Sequence, residues 1–323
     1  MRAAIAVVLC SAVAQAAPPT AHLVHESSPA KEGDPDALFG RVAFVDNEHF
    51  IELGDTVNDC RAEAMRVGAV SSPSATRAIV TFHSCKVMLG DGIVVELEQT
   101  LRRWSLDGKE LPAFELPKEG HIMRLVAVDR TTVVVGGTLG GQSVLTAFGE
   151  GKPPRVIATL PVIQDNAAAL LDAATGVLWI AGFRPPTIER RELATSAVHA
   201  FKAPGPNGCG KLIVIPNGIE CVAYDVEWRW PRTVVTQYDR DGKVRWTTEL
   251  QSRLSPVTTT PDGKRTIVAD DGKFTQLSSD GSVSATFAAT PRMPYSDVAL
   301  SPDGRWLLAE TGLGGVELWS LPP

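Results

Sequence analysis

One short turn recurs along this chain and constrains the fold more than any other feature. Each copy contains an Asp-Gly pair, and each lies between short apolar runs. Asp and Gly favour tight turns, because Asp hydrogen-bonds the nearby backbone and Gly accepts a left-handed conformation. Their regular return indicates a repeat architecture. The copies lie at residues 106–109, 239–243, 260–264, 279–281 and 301–305.

The segments between the turns are short and rich in Val, Ile, Thr and Trp. Such runs at close, even spacing predict β-strands. No stretch shows a sustained helical period with caps at both ends, so few helices are expected. The sequence therefore predicts an all-β protein. Representative runs lie at residues 133–135, 177–180, 233–236, 266–269 and 306–309.

The last two copies of the repeat show its order of strands and turns most clearly. Residues 257–287 divide into four strand-like runs joined by tight turns. In the first of these turns Pro261 presets φ, Asp262 occupies the next position and Gly263 supplies the left-handed residue that closes a hairpin. Residues 297–320 repeat the pattern but stop after three strands. The fourth strand can be supplied by residues 21–25, which would close a ring and remove an open sheet edge.

The turn between the third and fourth strands of each unit serves as a marker from which the repeats can be counted. Its positions recur at intervals close to the about 40 to 50 residues of a propeller blade. One more unit fits near residues 36–75, so we expect a single β-propeller of seven blades, each with four antiparallel strands; six or eight blades are the alternatives. The propeller should span residues 36–323, preceded by an N-terminal segment at 17–35. The marker residues are Gly108, Gly151, Ser196, Gly242 and Gly281.

Three segments resemble known propeller repeats. Residues 260–269 and 301–309 resemble the SPDGK-type WD40-like repeat, and residues 238–246 are similar to repeats of quinoprotein-like propellers. The resemblance implies a seven- or eight-bladed propeller. The full GH…WD pattern of intracellular WD40 proteins is absent, so their partner networks do not carry over.

The N-terminus has the pattern of a secretory signal peptide. Met1-Arg2 is basic, residues 3–13 are apolar, and Ala14-Gln15-Ala16 is a small-x-small cleavage site, so residues 1–16 should be removed. The apolar run is shorter than the roughly 20 residues of a membrane-spanning helix, and no later segment is long and charge-free enough. We expect a periplasmic or extracellular protein. A lipid anchor on Cys10 is disfavoured, because Leu9 precedes it where lipoprotein signals have Gly, Ala or Ser.

Four cysteines remain after cleavage, an even number in a compartment that permits disulfides. The favoured pairs are Cys60 with Cys85 and Cys209 with Cys221, because the second pair brackets residues 213–219, which can fold back as a hairpin. A metal or redox role would call for a C-x-x-C motif, which the sequence lacks.

The net charge is −6, and the sequence has no Lys/Arg-rich run, so a nucleic-acid partner is not expected.

Motifs that point to chemistry are weak. Residues 205–211 satisfy G-x-x-x-x-G-K, but Leu212 replaces the Ser or Thr that holds magnesium, and a strand pattern follows where a helix is required. We interpret this segment as a loop between blades. His83, His121 and His199 lie in separate units, and Glu52, Asp55 and Asp59 match no EF-hand spacing. No catalytic residue, cofactor site or metal site is predicted.

One insertion breaks the repeat at residues 224–232. Its aromatic and arginine side chains are of the types enriched in interface hot spots. Alternation puts Trp228 and Trp230 on one face, so burial of that face within the blade is the competing interpretation. The candidate partner-binding residues are Tyr224, Trp228, Arg229, Trp230 and Arg232.

These features favour an exported, non-catalytic propeller that acts as a binding or scaffold module for a protein, peptide or cell-envelope ligand. The competing class is an enzyme, either a metal-dependent lactonase-type or a quinone-dependent dehydrogenase-type propeller. The lactonase needs several Asp, Glu, Asn or His side chains at one axial point, and the dehydrogenase needs a cofactor pocket.

Overall fold

The structure is a computed structural model of the full chain. It describes most of the sequence, with gaps at the N-terminus and at many connections between strands. The described residues are 20–26, 41–55, 62–82, 87–90, 93–97, 100–116, 121–128, 131–139, 142–160, 168–172, 174–183, 186–204, 208–225, 232–252, 255–270, 272–289, 295–311 and 315–323. The predicted signal peptide and Cys10 lie outside them.

The described residues form seven four-stranded antiparallel sheets and no helix, which confirms the all-β prediction. Blade 1 contains β2 (Arg41–Phe44), β3 (His49–Asp55), β4 (Ala62–Ala69) and β5 (Ser72–Thr81). Blade 2 contains β6 (Val87–Gly90), β7 (Ile93–Leu97), β8 (Thr100–Ser105) and β9 (Glu110–Glu115). Blade 3 contains β10 (His121–Val128), β11 (Thr132–Leu139), β12 (Gln142–Gly149) and β13 (Lys152–Leu160). Blade 4 contains β14 (Ala168–Asp172), β15 (Val177–Phe183), β16 (Pro186–Glu192) and β17 (Val198–Lys202).

The remaining blades follow in chain order. Blade 5 contains β18 (Lys211–Ile215), β19 (Gly218–Asp225), β20 (Arg232–Asp239) and β21 (Val244–Gln251). Blade 6 contains β22 (Val257–Thr259), β23 (Arg265–Asp270), β24 (Lys273–Ser278) and β25 (Val283–Ala288). Blade 7 contains β26 (Tyr295–Leu300), β27 (Trp306–Thr311), β28 (Val316–Ser320) and β1 (His22–Glu26).

The first strands of the blades surround a central axis. Contacts run from β6 through β10, β14, β18 and β22 to β26, and from β26 to β2. Each later strand in a blade pairs with the one before it and lies farther from the axis. This arrangement is a seven-bladed β-propeller, as the repeat count predicts.

Blade 7 combines strands from both ends of the chain. The strand β1 pairs antiparallel with β28, with His22 opposite Ser320 and Glu26 opposite Glu317. It supplies the outermost strand of this blade, so all seven sheets have four strands.

The turns that count the repeats have the backbone conformation that their residue types predict. Four are glycines with φ between 67° and 85°, and Ser196, the only serine among them, has φ of 61°. Serine rarely adopts positive φ, so the repeat geometry sets the conformation at that position. The five are Gly108, Gly151, Ser196, Gly242 and Gly281.

An aspartate side chain closes four of the Asp-Gly turns. In blade 6, Asp280 Oδ1 accepts hydrogen bonds from Ser278 Oγ at 2.6 Å and from the Ser282 amide at 3.0 Å. These bonds, that from Ser278 foremost, lower the pKa of Asp280 to about 2. Three further aspartates make the same pair of bonds to a hydroxyl two residues before and an amide two residues after: Asp107, Asp262 and Asp303.

The hydrophobic core lies between neighbouring blades. Trp179, Trp104 and Trp319 are buried, each packed among apolar side chains of its own and the adjacent sheet. Their recurrence in the repeat therefore reflects packing between blades.

Antiparallel order divides the connections between two ends of the propeller. Turns from first to second and from third to fourth strands lie at one end, which we call the turn face. Turns from second to third strands and connections between blades lie at the other, which we call the connection face. On the turn face, Gly263 lies against Ile215, and the Asp303 amide donates to Asn47 Oδ1 at 2.9 Å. The Asp-Gly hairpins thus belong chiefly to the turn face, whereas residues 226–231 join the second and third strands of blade 5.

Candidate functional site

A cavity of about 560 Å³ lies on the axis of the propeller. It is lined by the first strands of blades 2 to 6, and most of the lining side chains are aliphatic. Cavities of this size and character are typical of small-molecule or side-chain binding sites. Aliphatic lining residues include Met88, Leu89, Val128, Leu170 and Ile213.

Charged side chains occur at the two ends of this cavity. Lys211 lies at the beginning of β18, on the connection face, and Asp172 lies at the end of β14, on the turn face. The Asp172 carboxylate accepts a hydrogen bond from Thr175 Oγ1 and so belongs to its own turn. Lys211 is the charged lining residue at the end of the cavity on the connection face, which we call the mouth.

An ion pair crosses the mouth of the cavity. Lys211 Nζ lies 3.6 Å from Asp297 Oδ1. This ion pair links blade 5 to blade 7 and passes blade 6. The other carboxylate oxygen, Asp297 Oδ2, accepts a hydrogen bond from the Val42 amide of blade 1 at 3.3 Å. Asp297 is thus fixed to the wall, whereas Lys211 Nζ lies farther from Asp297 than a hydrogen bond would allow.

Tyr224 packs beside this mouth. Its ring lies so close to Gly210 that a Cβ there would come within 2.6 Å of the ring carbons, so the position requires glycine. Burial, together with the negative charge of Asp297, raises the pKa of Tyr224 to about 12. The phenol is therefore neutral at physiological pH and can act as a hydrogen-bond donor or an apolar wall.

A disulfide holds the connection between blades 4 and 5 against blade 5. Cys209 and Cys221 are joined, as the sequence predicts, and both are fully buried. The bracketed segment forms the expected hairpin, since β18 and β19 pair with Ile215 opposite Gly218. Cys60 and Cys85 lie outside the described residues, so their pairing stays a prediction.

The predicted partner-binding residues lie at the ends of two strands and between them. Tyr224 belongs to β19, and Arg232 is the first residue of β20. Arg232 pairs with Glu249 Oε2 at 3.0 Å, and both side chains are about half exposed. Trp228, Arg229 and Trp230 lie outside the described residues. The connection between the strands is thus residues 226–231, shorter than the insertion that the sequence suggests.

The G-x-x-x-x-G-K segment is a connection between blades. Lys211 begins a strand and no helix follows, as the sequence predicts. The motif alone does not reveal the axial position of Lys211, because it points to a phosphate loop. The apolar run that follows Lys211, at residues 212–215, is the signal that could have revealed this position, because the first strand of each blade lies next to the axis.

The donor set that a metal-dependent enzyme needs is not assembled in the described part of the chain. No group of three or more His, Cys, Asp or Glu side chains comes within reach of one ion there. His199 lies on the outermost strand of blade 4 with Nε2 3.1 Å from the Asp241 carbonyl oxygen, away from the axis. His83 and Asp59, and the side chains of His121 and Asp55, are not among the described groups.

A buried carboxylate links blades 5 and 6. Glu220 accepts hydrogen bonds from Gln237 at 3.1 Å and Thr259 at 2.6 Å, and from the Thr266 hydroxyl of the second strand of blade 6. Burial raises the pKa of Glu220, although these hydrogen bonds oppose the shift. All three donors are neutral groups, so the carboxylate is held by hydrogen bonds to uncharged side chains.

Comparison with known proteins identifies a fold and not a relative. No family model matches the chain, and no curated protein matches it. Among solved structures, a chain of the mitotic checkpoint complex has 12% identity and a TM-score of 0.68, with 100% of this chain and 99% of that chain covered. BamB from Moraxella catarrhalis has 14% identity and a TM-score of 0.52, with 88% and 86% covered.

No helix in the described residues is long and apolar enough to cross a membrane.

The identities of 12% and 14% to these solved structures establish the architecture alone, because one fold hosts many functions. In fold, the chain is a seven-bladed β-propeller, and the two solved structures share that fold.

Proposed function

We propose that this protein is a non-catalytic binding module that recognises a protein or peptide on its connection face. The observation that carries the proposal is the position of Tyr224, which packs on Gly210 beside the Lys211–Asp297 pair. Tyr224 lies near the end of β19 on the connection face, and residues 226–231 follow this strand in the sequence. A rigid scaffold with a variable connection at its rim is a common arrangement for binding sites.

The residue types at this place suit a protein or peptide ligand. Trp228, Arg229 and Trp230 bring two large aromatic rings and a guanidinium into one short connection. Trp, Tyr and Arg are the residues that most often dominate binding energy at protein interfaces. A chain of similar fold occurs in the mitotic checkpoint complex, which is a protein assembly.

We also propose that the protein is exported and that residues 1–16 are removed. The Cys209–Cys221 disulfide supports this, because disulfides persist in oxidising compartments. N-terminal sequencing of the protein recovered outside the cytoplasm should begin at Ala17, and a sequence that begins at Met1 would contradict the proposal.

Peptide selection tests the binding proposal even though the natural partner is unidentified. The full chain, with its disulfide formed, is used to select binders from a random peptide library, and affinities are measured by fluorescence anisotropy. Trp228→Ala combined with Trp230→Ala should weaken binding at least about 30-fold, since a single hot-spot residue contributes about 2 kcal/mol or more. The matched control is Arg240→Ala with Lys243→Ala, on the turn face, which should leave affinity unchanged.

Three results would count against the proposal. The library yields no binder, the control weakens binding as much as the tryptophan pair, or the tryptophan variant binds normally. Thermal unfolding of the tryptophan variant separates the competing interpretation, because tryptophans buried within the blade would lower the midpoint strongly.

A further inference from the structure

The axial cavity has properties that the proposed peptide site does not use. Its wall is formed by aliphatic side chains from five blades, including Leu89, Val128, Leu170 and Val214. Its volume of about 560 Å³ lies within the range of roughly 300 to 1,000 Å³ typical of small-molecule pockets. An apolar ligand would displace water from this wall, which is the main source of hydrophobic binding energy.

Few polar groups line the cavity, and they differ in whether the fold already uses them in hydrogen bonds. Thr258 Oγ1 accepts from the Leu300 amide, Thr259 donates to Glu220, and Asp172 accepts from Thr175. These three groups are engaged in the fold itself. Among the described lining residues, Lys211 is the cation.

Lys211 is available to a ligand. Within the described part of the chain its ammonium makes no hydrogen bond, and its ion pair with Asp297 is 3.6 Å long. The side chain is 37% exposed and lines the cavity, so the ammonium is open to solvent at the mouth. A carboxylate that enters the mouth would accept short charge-assisted hydrogen bonds from this ammonium.

We infer that the axial cavity binds a single-chain aliphatic carboxylate, with the chain along the axis and the carboxylate on Lys211. The aliphatic wall selects the chain, and the lysine selects the sign of the head group. Asp297 competes with the ligand for Lys211 and stays in place, because the Val42 amide holds its other oxygen. This inference goes beyond the proposed peptide site and does not depend on it.

Calorimetric titration of the full chain with octanoate, nonanoate and decanoate, below their micelle concentrations, tests the inference. Each added methylene should tighten binding about fourfold, the factor for burying one methylene. Decylammonium, with the same chain and the opposite charge, should bind at least about tenfold more weakly than decanoate, since it cannot accept a charge-assisted hydrogen bond. Binding that is independent of chain length, or equal for the two head groups, would overturn the inference.

Two substitutions with opposite expected effects separate this site from general adsorption to apolar surface. Lys211→Met should weaken decanoate binding about tenfold, as expected for loss of a charge-assisted hydrogen bond. Lys211→Arg should restore most of it, and Lys243→Met on the turn face is the matched control without effect. Asp297→Asn should strengthen binding several-fold, because it removes the competing carboxylate and keeps an oxygen for the Val42 amide.

Failure of either direction contradicts the assignment. Wild-type affinity in Lys211→Met, or unchanged affinity in Asp297→Asn, would show that the ammonium does not hold the head group. Circular dichroism of each variant confirms that the propeller is intact, and the Asp297→Asn variant keeps the test decisive if Lys211→Met does not fold.

Discussion

The Cys209–Cys221 disulfide makes a calculable contribution to stability. The two cysteines are separated by 12 positions, so the bond closes a short loop. In the chain-entropy model such a loop removes about 10 cal/mol/K from the unfolded ensemble, or about 3 kcal/mol at 25 °C. Cys209→Ala with Cys221→Ala should therefore lower the free energy of unfolding by about 3 kcal/mol. The loss of the two buried sulfur atoms adds somewhat to this value.

Equilibrium urea unfolding, followed by tryptophan fluorescence, measures this loss. The oxidised wild type, the reduced wild type and the double variant are compared under the same conditions. Reductant added to the double variant is the control, because any further change then reports a second disulfide such as the predicted Cys60–Cys85 pair. A loss below about 1 kcal/mol in the double variant would refute the reasoning, since the hairpin β18–β19 would then be equally restricted without the bond.

Two further predictions concern the strand β19 of this hairpin. Gly218→Ala should destabilise the fold by about 3 kcal/mol or more, because its Cβ would lie 1.9 Å from the Tyr238 carbonyl oxygen; Gly149→Ala, whose nearest atom would be 3.7 Å away, is the near-neutral control in the same unfolding assay. Glu220→Gln should gain stability over the wild type as the pH rises above about 4.5. Because the pKa of Glu220 is higher in the folded chain than in the unfolded chain, the protonated carboxyl stabilises the fold fully at a pH below the unfolded pKa. That stability is lost as the pH rises through the folded pKa, whereas glutamine does not titrate. A difference between the two proteins that does not depend on pH would contradict the argument.

Much of the fold can be predicted from the sequence, because each blade is built from strands that pair with their neighbours in the chain. The residues of one hairpin are neighbours in the chain, and the turn chemistry at positions such as Gly263 and Gly281 reports the hairpin directly. Even Ser196, which has the least favourable residue type, is located by spacing alone. The strands of blades 6 and 7 consequently match the predicted runs to within one or two residues.

The candidate site is harder to predict from the sequence than the fold, because its residues come from different blades. Lys211 of blade 5 meets Asp297 of blade 7, and Glu220 of blade 5 meets Thr259 and Thr266 of blade 6. No local pattern marks such pairs, because they depend on how seven sheets close into a ring. The sequence places Tyr224 within an insertion, whereas the structure places it in β19, which continues one residue beyond it.

The pairing of β1 with β28 imposes an order in time on folding. Ser320 Oγ contacts the His22 carbonyl oxygen across 298 positions of sequence, whereas the other paired strands are neighbours in the chain. Non-local pairing of this kind is slow. Blades 1 to 6 contain only strands that are neighbours in the chain, but the ring stays open until β28 is available to pair with β1. During that interval β1 and the facing edge of β28 are unpaired, so the rate of ring closure sets how long this chain is prone to aggregate.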